Sequence, residues 1–248
     1  MKKLSVWSTV KESTIFTFAN LGILGKLFLI PMVIECAAYM LQNSLSQSEE
    51  ITPLALIPMF VLTIVVLLAE SMGAPRWIQH YCKPKSSVSF FQLQKTEWTY
   101  FKYAIIVFSI IAGIITAGIA LGSFLILLIA PQSELLNLDR TQAFSILVIT
   151  SLSVLFLASL VVVCWVRLFF VFPATALSDS TGLKHAWKQS KPHLKKLIYL
   201  GLIILIFTLP ASFFLGKANP IFIIIGVILI NILGAISNIC ITKFYKNA

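Results

Sequence analysis

Three ionisable side chains stand inside otherwise apolar runs of this chain, Glu35, Glu70 and Arg167, with Lys26 at the edge of a run. A charge inside a bilayer is costly, so such a residue marks a pairing, a proton or ion path, or a ligand site. Glu70 and Arg167 fall near the ends of their runs. An ion pair is the plain structural reading for them, because arginine gives directional hydrogen bonds to carboxylate. Glu35 differs. It follows Lys26 by nine residues, ~13 Å deeper in a helix, and no base is spaced to meet it. A carboxyl there can carry a proton or ligate a cation, or it can share a hydrogen bond with Asn231, Asn238 or a carbonyl freed by Pro31. Asn231 and Asn238 are seven residues apart, on one helical face with Gly234. They read as helix-packing glue or as the lining of a polar cavity.

Other chemistry is sparse. The chain has no GxSxG elbow, no Walker lysine loop, no HExxH and no pair of carboxylates spaced for acid–base work in one loop. No catalytic residue is assigned, and the expectation is a non-enzyme without cofactor. His80, Cys82, His185 and His193 have spacings that match no zinc signature, so no metal ligand is assigned. Cys36, Cys82, Cys164 and Cys240 stand singly and read as unpaired apolar side chains.

Lipid must be the solvent for most of the chain: 58% of its residues are hydrophobic and only 11% charged, against roughly a quarter charged in soluble domains. Six apolar runs follow, at about 24–45, 54–72, 103–129, 143–172, 197–215 and 221–241. We therefore expect an all-α integral membrane protein whose six transmembrane helices form three helical hairpins within a single domain. Gly73, Pro75 and Pro84 should stop the second helix. Gly118 and Gly122 should give the third a small-residue face for close helix approach.

The basic residues orient these spans. Of the 19 lysines and arginines, 17 lie in the N-terminal segment, the second and fourth loops and the tail, leaving Arg140 and Lys217 for the other side. The positive-inside rule then puts both termini in the cytoplasm. A net charge of +10 arranged in clusters beside apolar runs fits anionic lipid headgroups and gives no signature for nucleic acid. Amphipathic interfacial helices are expected on the cytoplasmic side at 4–20 and 181–191, the second capped by Asp179 or Ser180. Trp7, Trp77 and Trp187 should sit at the lipid interface, with Lys184, Lys188 and Lys191 on headgroups.

The chain also reads as one hairpin drawn three times. Trp7 precedes Pro31 by 24 residues and Trp187 precedes Pro210 by 23, while the middle copy lacks the proline.

The run from Arg167 to Ser190, through Pro173, Ala174, Gly182, Ala186 and Trp187, resembles a pattern in multi-pass bacterial inner-membrane proteins, the YciC-like proteins and the membrane domain of some glycerophosphodiester phosphodiesterases. WTYFKY at 98–103 is similar to a second, weaker segment. The resemblance implies a six-helix bacterial inner-membrane protein without assigned activity. The leading expectation is a membrane scaffold or assembly protein, partnered by another membrane protein or by its own copies. The alternatives are a small transporter or channel using Glu35 in a polar cavity, and a lipid-handling enzyme.

Overall fold

A computed structural model describes residues 5–46, 56–83, 94–129, 140–179, 182–217 and 219–247. The chain is an all-α membrane protein: six helices are long and apolar enough to cross a bilayer, and no strand occurs among the described residues. The helices are α1 (Val6–Ala19), α2 (Leu21–Ser46), α3 (Leu56–Cys82), α4 (Lys95–Ile129), α5 (Arg140–Leu168), α6 (Val171–Ala176), α7 (Leu183–Ser190), α8 (Leu194–Leu215) and α9 (Pro220–Lys246). A 3-10 turn at Lys191–His193 joins α7 to α8.

Three antiparallel hairpins, α2/α3, α4/α5 and α8/α9, close into a ring, since α3 packs on α4, α5 on α8, and α9 back on α2. The end that holds both termini is tied at each junction by a base on a returning helix. Arg76 of α3 meets Glu97 of α4, with Nε to Oε1 at 2.9 Å. Arg167 of α5 donates to the Trp187 carbonyl at 2.6 Å and to Ser190 Oγ at 3.3 Å, both in α7. Lys243 of α9 meets Glu12 of α1 at 2.6 Å. That hydrogen bond, aided by the ammonium charge, holds the Glu12 carboxyl below the usual carboxylate range. The tryptophans opening the three units, Trp7, Trp98 and Trp187, are 91 and 89 residues apart. In the middle unit nothing breaks the helix after Trp98, so its lead-in is fused into the 35-residue α4. In the other two, Asn20 and the Lys191–His193 turn separate lead-in from span.

Several sequence expectations are corrected. Gly73 and Pro75 do not end the second span, because α3 continues to Cys82. Pro75 lies inside a buried segment of α3, a position that membrane helices tolerate. Gly73 instead admits a close approach: a Cβ there would lie 3.2 Å from the Leu27 carbonyl, which Pro31 leaves without its helical donor. Gly118 does pack tightly against Leu157 of α5, but Gly122 faces open space. The fourth span breaks after Leu168. Pro173 cannot donate to the Phe169 carbonyl, Phe172 N–H takes it at 3.1 Å, and α6 follows as a fully buried short helix.

α6 ends in a Schellman motif, with Asp179 N–H on Ala174 O at 2.9 Å and Ser178 N–H on Thr175 O at 3.0 Å. The left-handed position, φ 62°, is held by Ser178 rather than glycine, at a cost of ~1 kcal/mol. Asp179 is therefore not the cap of α7; it accepts from Tyr245 Oη at 2.6 Å, and Gly182 stands at the N-cap. Ser180 lies outside the described residues.

α1 turns its hydroxyl face, Thr9, Ser13 and Thr17, into the protein and leaves Trp7, Ile15 and Phe18 outward. Trp77, expected at the lipid interface, is completely buried. Its indole N–H donates to Ala235 O at 3.1 Å, and Phe16 packs on its ring with centroids 5.5 Å apart. At the other end of the bundle, Asn219 caps α9 by accepting from Ile221 N–H at 2.9 Å, just before Pro220. Asn43 of α2 donates to the Leu215 carbonyl at 3.1 Å, fastening the first hairpin to the α8–α9 turn.

Candidate functional site

A partly open cavity of about 290 Å³ lies between the three hairpins. Glu70 of α3, Tyr100 of α4, Thr208 of α8, and Asn231, Ser237 and Asn238 of α9 contribute its polar groups. Apolar and aromatic side chains form the remainder, and no lysine, arginine or histidine lines it among the described residues.

Glu35 lies behind Asn231, 2% exposed. Its Oε2 accepts from Asn231 Nδ2 at 2.7 Å, and the same amide also donates to the Val227 carbonyl at 3.0 Å. Glu35 Oε1 is buried with no hydrogen-bond partner. Of the partners the sequence offered, the structure chooses Asn231 and leaves half of the carboxylate unsatisfied. An orphaned buried oxygen of this kind costs about 1–3 kcal/mol, more if charged, so the surrounding fold must stabilise it.

Glu70 opens into the cavity and makes no hydrogen bond or ion pair among the described residues. The pairing expected with Arg167 does not form. Extending α3 to Cys82 moves Glu70 inward, twelve residues or ~18 Å from the helix end, while Arg167 sits on α7. There its guanidinium also stacks 3.7 Å above the Trp187 ring. Glu70 instead faces Glu35. Gly73 lies level with Leu27 and Phe28, so the antiparallel helices put Glu35 only about one turn, ~6 Å, beyond Glu70 in depth.

Asn231, Gly234 and Asn238 all line the cavity, and an added Cβ at Gly234 would touch nothing. This face of α9 lines the cavity, and at Asn231 it also joins α9 to α2 through the hydrogen bond to Glu35. Thr242 caps the row by donating to the Asn238 carbonyl at 2.6 Å.

The histidines go elsewhere. His80 packs on Trp77 and Phe16, and His193 on Phe244. Of the surface residues expected to meet lipid, Trp7 is 65% exposed, Lys184, Lys188 and Lys191 are exposed, and Trp187 is 37% exposed with Arg167 stacked on its ring.

Comparison with protein-family models, curated proteins and solved structures finds no match to this chain. The cavity has to be read from its own chemistry.

The sequence missed one pair altogether. Arg76 and Glu97 are both buried, and the second oxygen of Glu97 accepts from Gln94 N–H at 2.8 Å, the carboxylate half of a capping box at the start of α4. By sequence alone Arg76 is one of the 17 orienting charges. An acid in the first turn of a long apolar helix was the available signal.

Proposed function

We propose that this chain is a small transporter or channel of the bacterial inner membrane, without catalytic activity, that binds a cation or proton in the central cavity. The observation that carries the reading is Glu35: a carboxyl buried at mid-span, one oxygen on Asn231 and the other without partner, beside a cavity holding the unpaired Glu70. A scaffold has no use for a buried carboxyl with one oxygen orphaned beside a second, unpaired carboxyl on a cavity wall, and the orphaned oxygen costs stability. The location of the site, between hairpins and near the bilayer midplane, is also where carriers place theirs.

The test is flux through the purified protein in liposomes. Wild type should collapse an imposed proton or monovalent-cation gradient faster than protein-free vesicles, and Glu35→Gln should cut the excess rate by about tenfold or more. Rates equal to those of empty vesicles, or indifferent to Glu35→Gln, would return the scaffold reading to first place.

Orientation belongs to the same proposal. The end holding the termini carries Lys184, Lys188, Lys191, Lys243 and Lys246, so we place it in the cytoplasm among anionic headgroups. A reporter fused after Ala248 should read cytoplasmic, and a periplasmic signal would invert the molecule. The residues that carry the family resemblance fit this end as one joint. Arg167 holds α7 through Trp187 and Ser190, Gly182 starts α7, and Pro173, Ala174 and Ala186 are buried. We keep YciC-like membership as a proposal resting on that joint.

A further inference from the structure

An inorganic cation or a proton gains most from a shell of oxygen ligands, and this cavity offers more than that. Phe28, Tyr100, Phe108, Trp165, Phe169 and Phe172 line it. Part of this set is a connected aromatic wall, with ring centroids 4.6 Å apart for Tyr100–Phe172, 4.9 Å for Phe169–Phe172 and 4.8 Å for Trp165–Phe169. Aromatic faces attract cations through the ring quadrupole, most strongly where water is excluded, and quaternary ammonium groups are the ligands that use this best. The same faces bury an apolar body. Glu70 supplies a carboxyl with no protein partner, and Glu35 Oε1 is a second orphaned acceptor behind Asn231. No base lines the cavity among the described residues, so an anionic ligand would find no opposite charge there.

We propose that the cavity binds a small organic ammonium cation with an apolar body, its charge facing Glu70 and its body against the Tyr100–Phe172–Phe169–Trp165 wall. This rests on the transport reading and names its substrate class. At about 290 Å³ the cavity stands at the lower edge of small-molecule sites, ~300 Å³, which limits the body to one ring or a short branched chain.

Benzyltrimethylammonium, radiolabelled, is a suitable probe, measured by equilibrium dialysis against the full-length protein in detergent micelles. Saturable binding at one site per chain is expected, undisturbed by excess benzylsulfonate. Glu70→Gln should weaken it by about tenfold or more, Glu70→Asp should largely retain it, and Trp165→Leu should weaken it about fivefold. Non-saturable uptake, displacement by benzylsulfonate, or equal binding to Glu70→Gln would overturn the proposal. If Glu70→Gln does not give a monodisperse protein, undiminished binding to Trp165→Leu overturns it instead. A Glu35-dependent flux of protons or inorganic cations without binding of the probe would refute the ligand class and leave the transport reading standing. Absence of both the flux and the binding would refute both.

Discussion

Replacing Glu97 with alanine should lower the stability of the folded protein by about 3–5 kcal/mol, the usual consequence of removing one member of a buried ion pair. In a chain of this size that is a fall of about 10 °C in thermal midpoint in detergent. Three losses coincide at this position. Arg76 keeps its charge in a site 6% exposed without the Glu97 oxygen at 2.9 Å. Gln94 N–H loses its acceptor at the start of α4, and the first hairpin loses a polar tie to the second. The capping loss alone is ~1 kcal/mol, so the ion pair should dominate. A double-mutant cycle separates the terms. Arg76→Met with Glu97→Leu should cost well under the sum of the single changes, because replacing a buried pair by apolar residues can be nearly neutral while breaking it is not. Additive losses would mean that the two side chains act independently and that the junction is held by other contacts.

Trp77→Ala should cost a similar amount, about 3–5 kcal/mol, whereas Trp7→Ala should stay within about 0.5 kcal/mol. The contrast tests where the two tryptophans sit. Trp77 is 0% exposed, wedged between Phe16 and His80, with its indole N–H on the Ala235 carbonyl. Truncation leaves a large cavity at the meeting of α1, α3 and α9 and strips that bond. Trp7 is 65% exposed on the outer face of α1 and would lose little besides lipid contact. Thermal unfolding of the two variants in the same detergent decides the matter. Comparable small losses would put Trp77 back at the membrane surface, where an interfacial tryptophan belongs.

These two side chains also show where sequence reading stops. Trp7 and Trp77 look alike in the chain: each stands near basic residues at the edge of an apolar run. The positive-inside and aromatic-belt rules treat such residues together. Only the close of the ring distinguishes them, because α1 folds back over the end of α3 and covers Trp77 through Phe16. Arg76 and Arg167 were likewise both read by charge and position. Each found a partner across a hairpin junction, Glu97 in one case and the α7 backbone in the other, and neither partner is within helical spacing of its arginine.

The amino-acid sequence determined the class of the protein and the number of its spans, because hydrocarbon leaves a helix no alternative way to satisfy its backbone and ~20 apolar residues are needed to cross. It determined the hairpin order and the start of α9, where the Asn219–Pro220 pair is a local cap. It also picked out Glu35, Glu70, Asn231 and Asn238 as the residues worth explaining, since polar groups in lipid are costly whatever their neighbours. What it could not give was depth and partnership. A proline that stops a helix in water can lie within one in a bundle, so the end of α3 shifted by ten residues and carried Glu70 from the rim toward the midplane. Which oxygen meets Asn231, and whether the asparagine face packs or lines a cavity, depend on how three hairpins close on one another. Those contacts join residues up to 196 positions apart, and no local pattern encodes a distance of that kind.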